Sequence, residues 1–254
     1  MSYIQYQGHK IYYEEYGNGE PLILLHGNTA SSLLFSQVIP LFAQKYHVIT
    51  LDFLGCGKSD RLQEWPIDLW YEWSRQVIAL CKELQLTNVK LIGSSGGALA
   101  AMNAVLEESE LFDCIVADSF EGLYADPAVT DQIRMGRNIA KQNSAFRETL
   151  MAMHGKDWED VFDKDTETVV LHAEKVGAFV HRPIEELKVR MLLTGSAEDE
   201  MFPRDHYKML FEDIIDRVSC AESYIFPNGG HPAMLSNLNE FVTICEKFFE
   251  KTES

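Results

Sequence analysis

The chain has 254 residues, 46% apolar and 24% charged, with 16 Gly and 8 Pro. This balance fits one large globular unit with room for an inserted subdomain and excludes a disordered, collagenous or repeat-only chain. Asp and Glu number 39 against 22 Lys and Arg, a net charge of −17 whose field repels phosphate backbones and argues against a nucleic-acid partner.

The five cysteines, Cys56, Cys81, Cys114, Cys220 and Cys245, are odd in number and scattered, with no C-x-x-C pair. Reduced thiols fit this better than a disulfide frame or a zinc site. The first residues carry neither a basic nor an apolar signal region, so a cytoplasmic protein is expected. Residues 21–44 lack Asp, Glu, Lys and Arg, yet His26-Gly27-Asn28-Thr29-Ala30-Ser31-Ser32 puts a polar turn in their middle, and no membrane span is expected.

In chain order, residues 3–7 and 11–16 read as two strands joined through Gly8-His9-Lys10. Residues 22–25, 48–51, 89–92, 114–117, 191–194 and 223–226 are short, mostly apolar runs, each followed by a breaker or polar residue. Between them, 33–43, 71–86, 98–106 and 241–249 carry helical spacing. Apolar strands alternating with helices predict an α/β fold with a mostly parallel sheet covered on both faces.

Residues 121–187 break this alternation, with no convincing strand and the spacing of about four helices. Asp126-Pro127 supplies a cap and an N1 proline, Ser144 caps a helix over 146–153, and Asp165 or Thr166 starts a helix carrying Val169, Val170, Ala173 and Val176. The segment reads as a helical cap inserted into a core of residues 1–120 and 188–254. No Pro/Gly/Ser linker tethers it, so it is expected to sit on the core.

Gly93-Ser94-Ser95-Gly96-Gly97 lies directly between a predicted strand and a predicted helix, the context that gives G-x-S-x-G its meaning. Small residues on both sides let a sharp turn lift the Ser95 hydroxyl out of the sheet. A serine hydroxyl needs a base, and His231, in the Pro227-Asn-Gly-Gly-His-Pro232 loop after the last predicted strand, is the candidate. The imidazole needs a carboxylate to fix its tautomer. Asp199, in the loop after 191–194, is favoured over Asp118, which also ends a predicted strand, while Glu198 and Glu200 read as solvated charges. The oxyanion donors expected are the backbone N–H groups of Gly96 and Asn28, with His26 a structural residue of the turn that carries Asn28.

These pieces resemble the α/β-hydrolase superfamily over nearly the whole chain: His26-Gly27-Asn28, Asp52-Phe-Leu-Gly-Cys-Gly-Lys-Ser-Asp60, Gly93 to Gly97, Gly195 to Pro203, and Gly229-Gly230-His231. The resemblance implies an eight-stranded, mostly parallel sheet, a Ser95-His231-Asp199 triad, and a helical lid. It also implies that Asp52, Gly55, Gly57 and Ser59 shape a loop beside the site. Two departures are Ser94, where many relatives have His, and the Asn28-Thr29 pair, where a bulkier pair is common.

Asp163, Asp165, Glu167 and Glu174 fall at calcium-loop positions, but Thr168 occupies the place of the required Gly, so a solvated acidic helix start is expected instead of a metal site. Phe146, Met151, Met153, Trp158, Phe162 and Phe179 serve either as pocket lining or as cap packing. No cofactor is expected, since Gly55-Cys-Gly57 is only a fragment of a dinucleotide fingerprint. The expected function is a serine carboxylesterase acting on a small-molecule ester. The alternatives are a proline iminopeptidase, a carbon-carbon bond hydrolase, and a low-turnover ligand receptor or signalling protein on the same fold.

Overall fold

The computed structural model describes residues 2–251. The chain opens with a hairpin of β1 (Ser2–Tyr6) and β2 (His9–Tyr16), in which Tyr6 faces His9. Gln7 and Gly8 take positive φ, 49° and 85°, as the central residues of a type I′ turn must. Six further strands follow: β3 (Glu20–Leu25), β4 (Tyr46–Leu51), β5 (Val89–Ser94), β6 (Phe112–Asp118), β7 (Arg190–Ser196) and β8 (Ala221–Phe226). The eight form one sheet in the order β1-β2-β4-β3-β5-β6-β7-β8, parallel from β4 to β8, with β2 antiparallel to β4.

Alternate residues of these strands feed two separate cores. Ile23, Leu25, Ile49, Leu51, Leu91, Ile115 and Leu193 pack on one face, and Leu22, Leu24, Val48, Ile92, Val116 and Leu192 on the other. The period of two divides each apolar run between the helical layers, which is why the central strands are apolar on both faces along most of their length.

Nine α-helices occur among the described residues: α1 (Ile39–Phe42), α2 (Leu69–Glu83), α3 (Gly96–Glu107), α4 (Pro127–Ala140), α5 (Ser144–His154), α6 (Trp158–Lys175), α7 (His206–Arg217), α8 (Ala233–Ser236) and α9 (Leu238–Phe249). No helix of the described residues is long and apolar enough to cross a membrane.

Several element ends differ from expectation, residues 121–187 hold three α-helices where about four were expected, and three of the differences have a clear physical cause. The helix predicted over 33–43 divides into a 3₁₀ turn, Ser32–Phe35, and the short α1. A continuous helix would put Pro40 in its interior, where the ring meets the carbonyl four residues back; α1 instead places it in the first turn. The cap of α5 is Asn143, whose side chain accepts from the N–H groups of Ala145 and Phe146, so Ser144 is the first helical residue. Asp165 and Thr166 do not start a helix: they lie inside α6, whose buried face runs Trp158, Val161, Phe162, Asp165, Thr168, Val169 and His172. That face is continuous at helical spacing, so the packing extends the helix upstream through the acidic residues.

Helices α4, α5 and α6 all lie between β6 and β7 and rest on core loops. Arg61 pairs with Asp157, and Lys164 donates to the Leu62 carbonyl. The chain runs from β3 to β4 toward one edge of the sheet and from β5 to β6 toward the other. The carboxyl ends of β3 and β5 therefore flank a switch point, where a crevice forms.

Burial lowers the pKa of His26, His154, His172 and His206, so these imidazoles fold neutral. Below about pH 6.5 the unfolded chain gains protons that the folded chain refuses, and stability falls with pH. Burial acts oppositely on two carboxyls, pushing Asp118 up to about 6 and Glu121 up to about 7, so the folded state binds these protons first in acid. Four imidazoles against two carboxyls leave a net loss. The urea midpoint is expected to fall between pH 7 and pH 5, the unfolding free energy dropping by at most about 3 kcal/mol per pH unit; a flat or rising midpoint refutes neutral burial.

Candidate active site

Ser95 sits between β5 and α3 with φ 54° and ψ −122°, a conformation that side-chain-bearing residues rarely hold. The surroundings enforce it. The Ser95 N–H donates to the Asp118 carbonyl at 2.7 Å, and its carbonyl accepts from Ala98 N at 2.9 Å. A methyl group on Gly93 would lie 2.3 Å from the Gly97 carbonyl oxygen, and one on Gly97 would lie 2.2 Å from that of Leu25. Both glycines are thus required by space.

His231, in the loop after β8, has Nδ1 2.9 Å from Asp199 Oδ2. Asp199, in the loop after β7, also accepts from the Tyr207 hydroxyl at 2.6 Å and, through Oδ1, from Met201 N at 2.9 Å. Burial alone would raise the Asp199 carboxyl, but the bonds from His231, Tyr207 and Met201 hold it below the usual carboxylate range. Burial beside that charge pushes the Tyr207 phenol far above its ordinary range, keeping it a donor. Glu200 is exposed, as expected, yet it also accepts from the His231 backbone N–H at 3.2 Å.

Asp118 has a different place. Fully buried, it accepts from Thr194 Oγ1 at 2.8 Å and from Met234 N at 3.1 Å, tying β6, β7 and α8 together, and it makes no hydrogen bond to His231. His26 is likewise internal to the fold. Its Nδ1 donates to the Gly27 carbonyl and its Nε2 accepts from Phe53 N, which fixes the tautomer and bends the chain after β3.

That bend lays the Gly27-Asn28-Thr29 turn against the sharp Gly93–Gly97 turn that carries Ser95. A methyl group on Gly27 would lie 2.9 Å from Ser95 Cβ and 3.4 Å from Gly96 N. Gly96 begins α3, so its N–H has no partner within the helix. Among the described residues the Asn28 N–H has no hydrogen-bond acceptor, while its side chain is held by Trp70 Nε1 at 3.0 Å and Asp165 Oδ2 at 3.1 Å. Asp52 accepts from Ser32 N and Lys58 N, and Ser59 bonds the Asp52 carbonyl, so these two residues shape the loop after β4.

Ser95, His231, Asn28 and Thr29 border one cavity of about 350 Å³. Leu34, Met201 and Pro232 add apolar wall from the core, while Arg137, Phe146, Leu150, Met153 and Phe162 close it from α4, α5 and α6. Of the six large apolar residues singled out by sequence, Phe146, Met153 and Phe162 line this space. Met151 is exposed, Trp158 packs beside Leu150 and Phe162, and Phe179 joins the main core.

The acidic run of α6 is not uniformly solvated. Asp163 pairs outside with Lys141, whereas Asp165 is wholly buried and pairs with Arg137 at 2.7 Å. Sequence reasoning missed Asp165, His154, Arg137, Trp70 and Tyr207. For Asp165 a signal existed, a carboxylate on the apolar stripe of a helix; the others carry no local pattern.

The profile of the alpha/beta hydrolase fold family matches residues 20–166. A proline iminopeptidase of Lactobacillus helveticus is 34% identical over 97% of this chain and 96% of that protein. A 2-hydroxy-6-oxo-6-(2'-aminophenyl)hexa-2,4-dienoic acid hydrolase of Metapseudomonas resinovorans is 27% identical over 94% of this chain and 87% of that protein. Among solved structures, a meta-cleavage product hydrolase of Pseudomonas fluorescens IP01 superposes with a TM-score of 0.79 at 19% identity, covering 98% of this chain and 97% of that one. The family profile spans more than half of the chain and the sheet has the matching architecture: the chain belongs to the α/β-hydrolase fold family.

Proposed function

We propose that the chain is a serine hydrolase acting on small carboxylic esters. Ser95 Oγ attacks the carbonyl carbon, His231 takes the hydroxyl proton and delivers it to the departing alkoxide, and Asp199 holds the imidazole. Water then attacks the acyl-enzyme, giving a proton to His231, which returns it to Ser95 Oγ as the acyl–oxygen bond breaks and the acid is released. The N–H groups of Asn28 and Gly96 receive the oxyanion in both steps. The observation that carries this reading is the His231–Asp199 pair at 2.9 Å, with His231 and Ser95 on the wall of one cavity.

The lining supports an ester over an aminopeptidase substrate. A substrate ammonium needs a carboxylate, and no Asp or Glu borders the cavity. The cap carboxylate nearest the site, Asp165, is already occupied by Arg137, Thr29 and Asn28. Arg137, the one permanently charged side chain on the wall, favours a second reading: carbon-carbon bond hydrolysis of an anionic dienoate, the substrate class named for the Metapseudomonas resinovorans relative.

The test is fluorophosphonate labelling mapped by peptide mass spectrometry, together with turnover of three substrate classes. These are p-nitrophenyl esters of increasing acyl length, a 2-hydroxy-6-oxo-dienoate, and a prolyl anilide. A single label on Ser95 with preferred turnover of short esters is the expected result. Faster turnover of the dienoate transfers the assignment to the second reading, and a labelled serine that turns over nothing points to a receptor.

A further inference from the structure

Thr29 follows the oxyanion residue Asn28 and holds φ 57°, a left-handed conformation unusual for a β-branched side chain. Such a residue persists only where its surroundings over-determine it. Both backbone polar groups of Thr29 are held from the helical insertion. Its N–H donates to Asp165 Oδ2 at 3.0 Å, and its carbonyl accepts from His154 Nε2 at 3.0 Å. These contacts span 136 and 125 residues of sequence, from α6 and from the end of α5.

The two holding groups are themselves fixed. Asp165 is fully buried, takes a second bond from the Asn28 side chain at 3.1 Å, and is anchored by Arg137 of α4 at 2.7 Å. His154 is 3% exposed, and its Nδ1 accepts from Gly57 N at 3.0 Å. One ring nitrogen accepts and the other donates, so only the neutral imidazole makes both bonds. Burial, which disfavours the charged ring, keeps it in that form. All three helices of the insertion thus converge on one turn of the core.

We infer that Asp165 and His154 are positioning residues that hold the Asn28-Thr29 turn so that the Asn28 N–H faces the developing oxyanion. This rests on the serine-hydrolase reading above, and it gives the insertion a part in the rate as well as in covering the cavity. A small displacement of an oxyanion donor costs transition-state stabilisation while leaving ground-state binding nearly unchanged.

The test compares Asp165→Ala with Asp165→Asn, and His154→Leu with His154→Gln. Each conservative variant retains a hydrogen-bonding group for Thr29. Two quantities are read: amide hydrogen exchange of the peptide covering residues 26–32, and kcat and KM per mole of fluorophosphonate-titratable serine. In Asp165→Ala and His154→Leu the exchange is expected to rise at least about 10-fold. kcat is expected to fall about 10- to 100-fold with KM within about 3-fold. The Asn and Gln variants recover a substantial part of both losses.

Titrated kcat within about 2-fold of the parent in a folded Asp165→Ala or His154→Leu protein overturns the inference, reducing both residues to structural roles. Should Asp165→Ala not fold, the His154 pair decides alone. Should the parent show no serine-dependent turnover, the reading of the site fails separately. Exchange then still decides the hold on Thr29, unchanged rates overturning it and faster rates leaving a conformational clamp.

Discussion

Ser95→Ala is expected to lower ester turnover by at least about 10⁴-fold while leaving the melting temperature within about 2 °C of the parent. The proposed nucleophile has no substitute in the cavity. Of the other hydroxyl-bearing residues on its wall, Ser94 ends β5 and is almost wholly buried, and Thr29 and Thr149 lie on other segments of the chain. Alanine carries the same Cβ as serine and meets the same strain at φ 54°, so the turn is neither relieved nor worsened. Ser95→Gly should be equally inactive yet more stable by roughly 1 kcal/mol, since glycine takes this conformation freely. Turnover in the alanine variant above about a hundredth of the parent's would remove Ser95 from the chemistry. A collapse of its melting temperature would mean that the hydroxyl has a structural role instead.

Asp199→Asn is expected to lower kcat by about 10³- to 10⁴-fold, and the geometry says why. Met201 N–H donates to Oδ1, so the amide oxygen of an asparagine must stay there and its NH₂ must face His231. An NH₂ donates to Nδ1 and forces the proton onto Nε2, the nitrogen that must accept from Ser95. Tyr207 tolerates the exchange poorly too, since its hydroxyl now meets a donor in place of Oδ2. Asp118→Asn is the informative partner. It sets an amide donor against Met234 N–H or Thr194 Oγ1–H, a mismatch costing about 1–3 kcal/mol of stability, with turnover per folded molecule within about 3-fold of the parent. Measured kcat beside denaturation midpoints separates the two carboxylates. Near-normal turnover in Asp199→Asn with a dead Asp118→Asn would hand the acid role to Asp118.

The sheet and the place of each candidate group along it were legible because both depend on local pattern. Mostly apolar strand runs mark a sheet buried on two faces, and all eight predicted strands exist, seven of them with extended ends and the first shifted by one residue. Gly93 and Gly97 announce a backbone squeezed between β3 and α3, a requirement of space that any sequence making this turn must meet. His26, Ser95, Asp199 and His231 each directly follow or lie just beyond a strand, so reading the strands also located them. The helices were legible as helices but not in their boundaries. Pro40 and the start of α6 show that spacing alone misplaces ends which capping and packing decide.

What tertiary structure alone decided is which distant groups meet, because hydrogen-bond partners more than a hundred residues apart leave no local signature. Asp165 read as one more solvated carboxylate on an acidic chain. Folding buries it, because its stripe of α6 faces the core and because Thr29, Asn28 and Arg137 together supply enough donors to compensate a buried charge. His154, Trp70 and Tyr207 acquire their partners in the same way. Local chemistry in the sequence determined the architecture and the order of the candidate residues along it, while the surroundings that hold those residues at working distance exist only once the chain has closed on itself.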